Sequence, residues 1–191
     1  EGVPIVAHPD IFRPHFILKP FIREIGLSKD RASIESGGNL ILTGDPLSIM
    51  DGAASTGEIK ERVSFEEEAT IELYTIREGL IAKDPLNDEM SLVINLPDGL
   101  VIIAGCSHPG IASIVEYAKK VFAVEKVRTV IGGFHLIDAE KSRIQKTVEY
   151  LSRRVKAVYT GHCTGTKAKA VFLKEFGESF EELYCGKIIE M

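Results

Sequence analysis

The sequence predicts an α/β protein in which helices pack on a layered β-sheet, and three features carry that expectation. Two apolar runs, "MSLVINL" and "LVIIAG", are joined through "PDG", an Asp-Gly turn that marks a β-hairpin over residues 90–105. From residue 110 onward, stretches of helical period alternate with short Val/Ile-rich runs, the pattern of helices laid against a sheet. Three apolar runs, the second strand of the hairpin and two of these, end in a glycine-flanked corner that holds a histidine: "IIAGCSHPG" (102–110), "VIGGFHLID" (130–138) and "YTGHCTG" (159–165).

In chain order, residues 3–7 and 16–18 are short apolar runs separated by "PDIFRP", whose prolines break it into turn or loop. "GGNLILTGDP" (37–46) reads as a strand entered through glycines and left through a turn. Residues 47–68 mix Gly, Ser and charge with weak periodicity and read as a long loop or crossing segment. After the hairpin, the pattern predicts a helix over 110–124, a strand over 126–133, a helix over 138–155, a strand over 156–161 and a helix over 165–177. Asp138 is placed to cap the second of these helices. Residues 1–191 read as a single domain without internal repeats.

Composition narrows the function. With 23 Lys+Arg against 28 Asp+Glu and a net charge of -5, a polyanionic partner such as nucleic acid is not indicated. No apolar run reaches the roughly 20 residues that span a bilayer, so no membrane association is expected and a cytoplasmic protein is. Cys106, Cys163 and Cys185 are an odd number without a Cys-x-x-Cys pair, which argues against a disulfide framework and against a thiol redox protein.

In layered sheets of this kind, residues just past the carboxyl ends of strands converge on one edge, where ligands bind. Cys106, Ser107 and His108, then His135, then His162 and Cys163, would share that rim. Imidazole nitrogen and thiolate sulfur suit zinc, and a catalytic zinc takes about three protein ligands and an open position. His108 and His162 are therefore expected to be metal ligands, and Cys106 either a ligand or a small residue closing its strand. His135 is expected to donate a proton or orient substrate. Asp88 or Glu89, just before the hairpin, is the acidic candidate for the metal, against the alternative of a solvated turn. Thr56, Gly57 and Glu58 are candidates to line a substrate cleft, whereas Asp45 reads as ordinary turn chemistry. Cys163, Cys185, His8 and His15 read as packing or structural residues.

By "AHPDIF" (7–12), "STGEI" (55–59), "DEMSLVINLPDGLVIIAGCSHPGI" (88–111), "GGFHL" (132–136) and "YTGHCTG" (159–165), the chain resembles the metallo-β-lactamase superfamily. It is most similar to that superfamily's dihydropterin ribofuranosyl-aminobenzene phosphate synthase-like branch, a group tied to methanopterin biosynthesis. The resemblance implies an αββα sandwich, a small-molecule substrate and two divalent metal ions, zinc first among them. His162 falls where the superfamily places its last metal-binding histidine. Cys106 falls in the slot of a strand-ending aspartate that bridges two metals, with His108 beside it.

The superfamily's H-x-H-x-D-H signature occurs nowhere in these 191 residues. The expectation is therefore an incomplete sandwich, the C-terminal two-thirds or so of a longer polypeptide. Such a chain would be inactive by itself and prone to associate with a copy or with the preceding segment. The implied activity of the intact protein is that of a metal-dependent hydrolase-like enzyme acting on a phosphoester or a pterin precursor. The alternative is a non-catalytic α/β association module, with its histidines as relics.

Overall fold

A computed structural model describes residues 2–67 and 72–190 of the chain. The opening residues form β1 (Val3–Ala7), a 3-10 turn at Pro9–Phe12, β2 (His15–Ile17), β3 (Arg23–Glu24), α1 (Arg31–Gly37) and β4 (Gly38–Leu42). Two hairpins follow, β5 (Leu47–Met50) with β6 (Ala53–Ser55) and β7 (Tyr74–Arg77) with β8 (Leu80–Lys83). The predicted hairpin is β9 (Leu92–Leu96) and β10 (Gly99–Ile103). The alternating part then runs α2 (Ile111–Phe122), β11 (Val127–Gly133), α3 (Lys141–Ser152), β12 (Val155–Gly161), α4 (Thr166–Phe176) and β13 (Phe180–Leu183).

The largest sheet has seven strands in the order β13-β12-β11-β10-β9-β6-β5. Its β10-β11-β12-β13 half is parallel and its β10-β9-β6-β5 half antiparallel. Among the described residues, a four-stranded antiparallel sheet, β3-β2-β7-β8, and a parallel β1-β4 pair accompany it. This is the predicted α/β class. The parallel strands need helical crossovers, and α2, α3 and α4 supply them. Their inner faces meet the sheet in one core that includes Leu100 and Ile102 of β10, Ile114 of α2, Leu151 of α3, Val158 of β12 and Phe172 of α4. No helix among the described residues is long and apolar enough to cross a membrane.

Two local expectations need correction. The reading of 47–68 as a loop missed the β5–β6 hairpin. Its strands are short and its inner residues are Ala53, Ala54 and Ser55, too small to print a period-2 pattern. Pairing comes instead from β9, which aligns Ile94 with Ala53 and Leu92 with Ser55, and from Gly52, whose φ of 76° lets the chain turn. Asp138 does not cap α3; the cap position is Glu140, without a side-chain bond, because the helix begins at Lys141.

α2 is capped from a distance. Its cap position is Gly110 (φ 102°), which has no side chain to offer, and a Cβ there would lie 2.1 Å from Glu66 Oε2. Glu66, 1% exposed, fills the space. Its carboxylate accepts from Ser113 N at 2.7 Å, Ser113 Oγ at 2.8 Å and Ala112 N at 3.3 Å, with Arg143 Nη2 at 3.5 Å. A carboxylate is the right charge for a helix N-terminus, but burial outweighs these donors and raises its pKa. A raised carboxylate pKa means the folded state binds the proton more tightly than the unfolded chain. The group's contribution to stability is therefore greatest below the unfolded value and is lost as pH rises through the folded one. Thermal denaturation of wild type and Glu66→Gln at pH 8 and pH 4.5 is expected to show the gap shifting in favour of wild type at the lower pH. A gap that stays constant or moves the other way would contradict this account.

Candidate active site

The parallel order β10-β11-β12 brings three corners side by side at the carboxyl ends of those strands. Each corner holds a non-glycine residue in the left-handed region: Ser107 (φ 58°), His135 (φ 45°) and His162 (φ 49°). Such conformations are uncommon outside glycine and cluster at functional sites. Hydrogen bonds between corners hold them. Ser107 Oγ donates to Gly133 O at 2.6 Å, and Gly133 N to Gly105 O at 2.8 Å. Phe134 N donates to Thr164 Oγ1 at 3.0 Å, and Leu136 N and Ile137 N both donate to Cys163 O at 3.1 Å. Gly133 is required by close approach, since a Cβ there would sit 2.6 Å from Cys163 Sγ.

At this edge the ligand atoms of Cys106, His162 and Cys163 lie within 4.8 Å of one another. Cys163 reads as a packing residue if its corner is extended, because it then points away from His162. Residues His162–Thr164 instead form a 3-10 turn, which brings the thiol round to the side of its neighbour. The two thiols interact so that Cys163 is strongly acidified and Cys106 raised; the contact with Cys106 is the main cause, and His135 lowers Cys163 further.

His108 is not part of that trio of ligand atoms. Its ring lies edge-on to His135, with centroids 4.4 Å apart. Its Nδ1 is 2.5 Å from Glu89 Oε2, and its backbone N donates to Glu89 Oε1 at 3.0 Å. Burial opposes protonation of this imidazole, but the Glu89 carboxylate outweighs it and the pKa rises. Of the two acidic candidates, Glu89 is thus the partner of a histidine.

Asp88 faces the other way. Its Oδ2 is 3.5 Å from His15 Nε2, while His15 Nδ1 lies 2.5 Å from Asp84 Oδ2. The bond to Asp84 is the main reason that the His15 pKa is raised, while burial raises that of Asp88. The ligand atoms of His15, Asp84 and Asp88 also lie within 4.8 Å of one another. His15 and Asp84 were missed. The one hint in the sequence was the density of carboxylates in the segment between β8 and β9, which supplies Asp84, Asp88 and Glu89 to two histidines. A cleft of about 440 Å³ runs between the pairs, lined by His15, Asp84, Asp88, Glu89 and His108.

The remaining candidates sit apart from the corners. Glu58 lines a second cleft of about 730 Å³. Its neighbour Thr56 is fully buried, its hydroxyl accepting from Ser91 N at 3.0 Å. Asp45 pairs with Lys60 at 3.0 Å. His8 Nδ1 accepts from Asp10 N and caps the first 3-10 turn.

No family profile matches the chain. It is 45% identical over 196 residues to the 7,8-dihydropterin-6-methyl-4-(beta-D-ribofuranosyl)-aminobenzene-5'-phosphate synthase of Methanocaldococcus jannaschii, an alignment covering 100% of this chain and 67% of the relative. It is 29% identical over 165 residues to an uncharacterized protein of the same organism, covering 86% of this chain and 59% of that protein. In structure it is similar to a metal-dependent hydrolase of the β-lactamase superfamily, with a TM-score of 0.86 and 25% identity over 100% of this chain and 72% of the other.

Proposed function

The chain belongs to the family of the 7,8-dihydropterin-6-methyl-4-(beta-D-ribofuranosyl)-aminobenzene-5'-phosphate synthase, and from that premise we propose that it carries part of the centre of a metal-dependent enzyme acting on a small pterin or phosphoester substrate. The observation that supports this most is the convergence of Cys106, His162 and Cys163, one imidazole and two sulfurs, on a single point at the sheet edge. That donor set fits zinc, because thiolate and imidazole are its preferred ligands. The low pKa of Cys163 fits too, since the thiolate is the ligating form. His108 is the fourth candidate, with Glu89 fixing its ring through Nδ1 and leaving Nε2 as the available nitrogen. A metal held there would polarise a phosphoryl oxygen or acidify a bound water.

The chain's own groups supply the rest. His135, between the His108 ring and Cys163, is positioned to hold or move a proton at the reacting atom of the substrate. The strained corners keep these groups in place before substrate arrives. Synthase and hydrolase chemistry both fit such a centre, and the family relationship favours the synthase. Metal analysis by mass spectrometry, alongside assays of pterin–aminobenzene product formation and phosphoester hydrolysis, tests the reading. Stripping with a chelator is expected to abolish turnover and zinc to restore it; full turnover by metal-free protein would overturn the proposal.

A further inference from the structure

We propose that the cleft between β2 and the segment joining β8 to β9 binds the pterin ring of the substrate, with the Asp88 carboxylate pairing to the ring's 2-amino group and adjacent ring N–H. This inference rests on the reading above and names the substrate's place within it.

The cleft's volume, about 440 Å³, is that of a small-molecule site. Ile25, Leu27, Leu73 and Leu86 give it apolar lining for the faces of a ring, and His15, Asp84, Asp88, Glu89 and His108 give it polar groups. Among these, His15 already has its partners: Nδ1 meets Asp84 at 2.5 Å, and Nε2 lies 3.3 Å from Asp10 O. Acceptors at both nitrogens fix the orientation of the ring. Asp84 also accepts from Leu86 N at 2.9 Å. Asp88 lines the same cleft, its Oδ2 3.5 Å from His15 Nε2 and its side chain 24% exposed.

A carboxylate beside an apolar slot selects a planar ligand with two parallel N–H donors on one edge, as it does the fork of arginine. A 2-amino-4-oxopyrimidine ring presents that edge. His108 lines the same cleft, so a ring bound against Asp88 would have its substituent directed along a wall shared with the proposed metal centre. Leu86 itself sits at φ 60° between the two carboxylates in the chain, its N–H bonded to Asp84.

The test uses zinc-loaded protein and three probes: 6-hydroxymethylpterin; lumazine, in which an oxo group replaces the 2-amino group; and guanosine, which carries the same donor edge on a ribosylated purine. Fluorescence or calorimetric titration of wild type is expected to rank the pterin first. Asp88→Asn should weaken pterin binding about 10- to 100-fold, the scale of a hydrogen bond to a charged group, while lumazine binding barely changes. Zinc content should be unaltered in the variant. Equal losses for pterin and lumazine would mean a structural role, unchanged pterin binding would remove Asp88 from recognition, and loss of zinc would make it a ligand; each overturns the proposal. Guanosine outranking pterin would overturn the choice of ring. A wild type that discriminates pterin from lumazine yet turns over without metal would sink the metal reading and leave this one standing.

Discussion

Replacement of His162 by asparagine is expected to remove bound metal and turnover together. Asparagine is chosen because His162 sits at φ 49°, a conformation that asparagine adopts more readily than alanine, so the corner survives while the imidazole is lost. What remains at the sheet edge is two sulfurs, Cys106 and Cys163, and the Nε2 of His108, whose Nδ1 is taken by Glu89. An amide is a poor ligand for zinc, and no other histidine lies on this corner. Metal affinity should fall by more than the roughly 10- to 100-fold that follows loss of an outer-shell partner. Metal analysis by mass spectrometry beside product formation reads both quantities in one preparation. Full metal content with full activity would leave "YTGHCTG" as a tight corner and nothing more.

His135→Asn should separate the two quantities. His135 also occupies the left-handed region, at φ 45°, so asparagine again spares the backbone. Its ring meets His108 edge-on at 4.4 Å, and it interacts with Cys163. If its part is to move a proton, zinc should stay bound while turnover falls about 10²- to 10⁴-fold, the usual scale of general acid–base assistance. Some rise in the Cys163 pKa is also expected, because His135 is one of the groups that lower it. Loss of zinc from this variant would make His135 a ligand and reverse the assignment.

The corners were legible because each is a local event. An apolar strand followed by glycine and a histidine needs only neighbouring residues to declare itself: β11 and β12 end at the expected residues, and β10 two residues before. Their convergence was also legible, since helical crossovers force those strands to run parallel. The role of Cys163 was not, because whether a thiol faces its neighbour depends on a 3-10 turn or an extended corner, a choice made by bonds to distant Phe134, Leu136 and Ile137.

The α/β class, the hairpin at β9–β10, the alternation of helix and strand, and the identity of His108, His135, His162 and Cys106 as residues of one rim are properties of the sequence itself, carried by periodicity and by glycine placement. Which acid serves which histidine was decided only in three dimensions. Glu89 reaches His108 across 19 residues and Asp84 reaches His15 across 69, and neither spacing has a periodic signature. Adjacent residues Asp88 and Glu89 end on different histidines because the chain turns between β8 and β9, sending one carboxylate toward β2 and the next toward the end of β10. Glu66 is the same case in the core: a charged residue in a stretch that reads as loop becomes the cap of α2, because Gly110 has no side chain to cap with and packing brings Glu66 to the unsatisfied donors of the helix N-terminus.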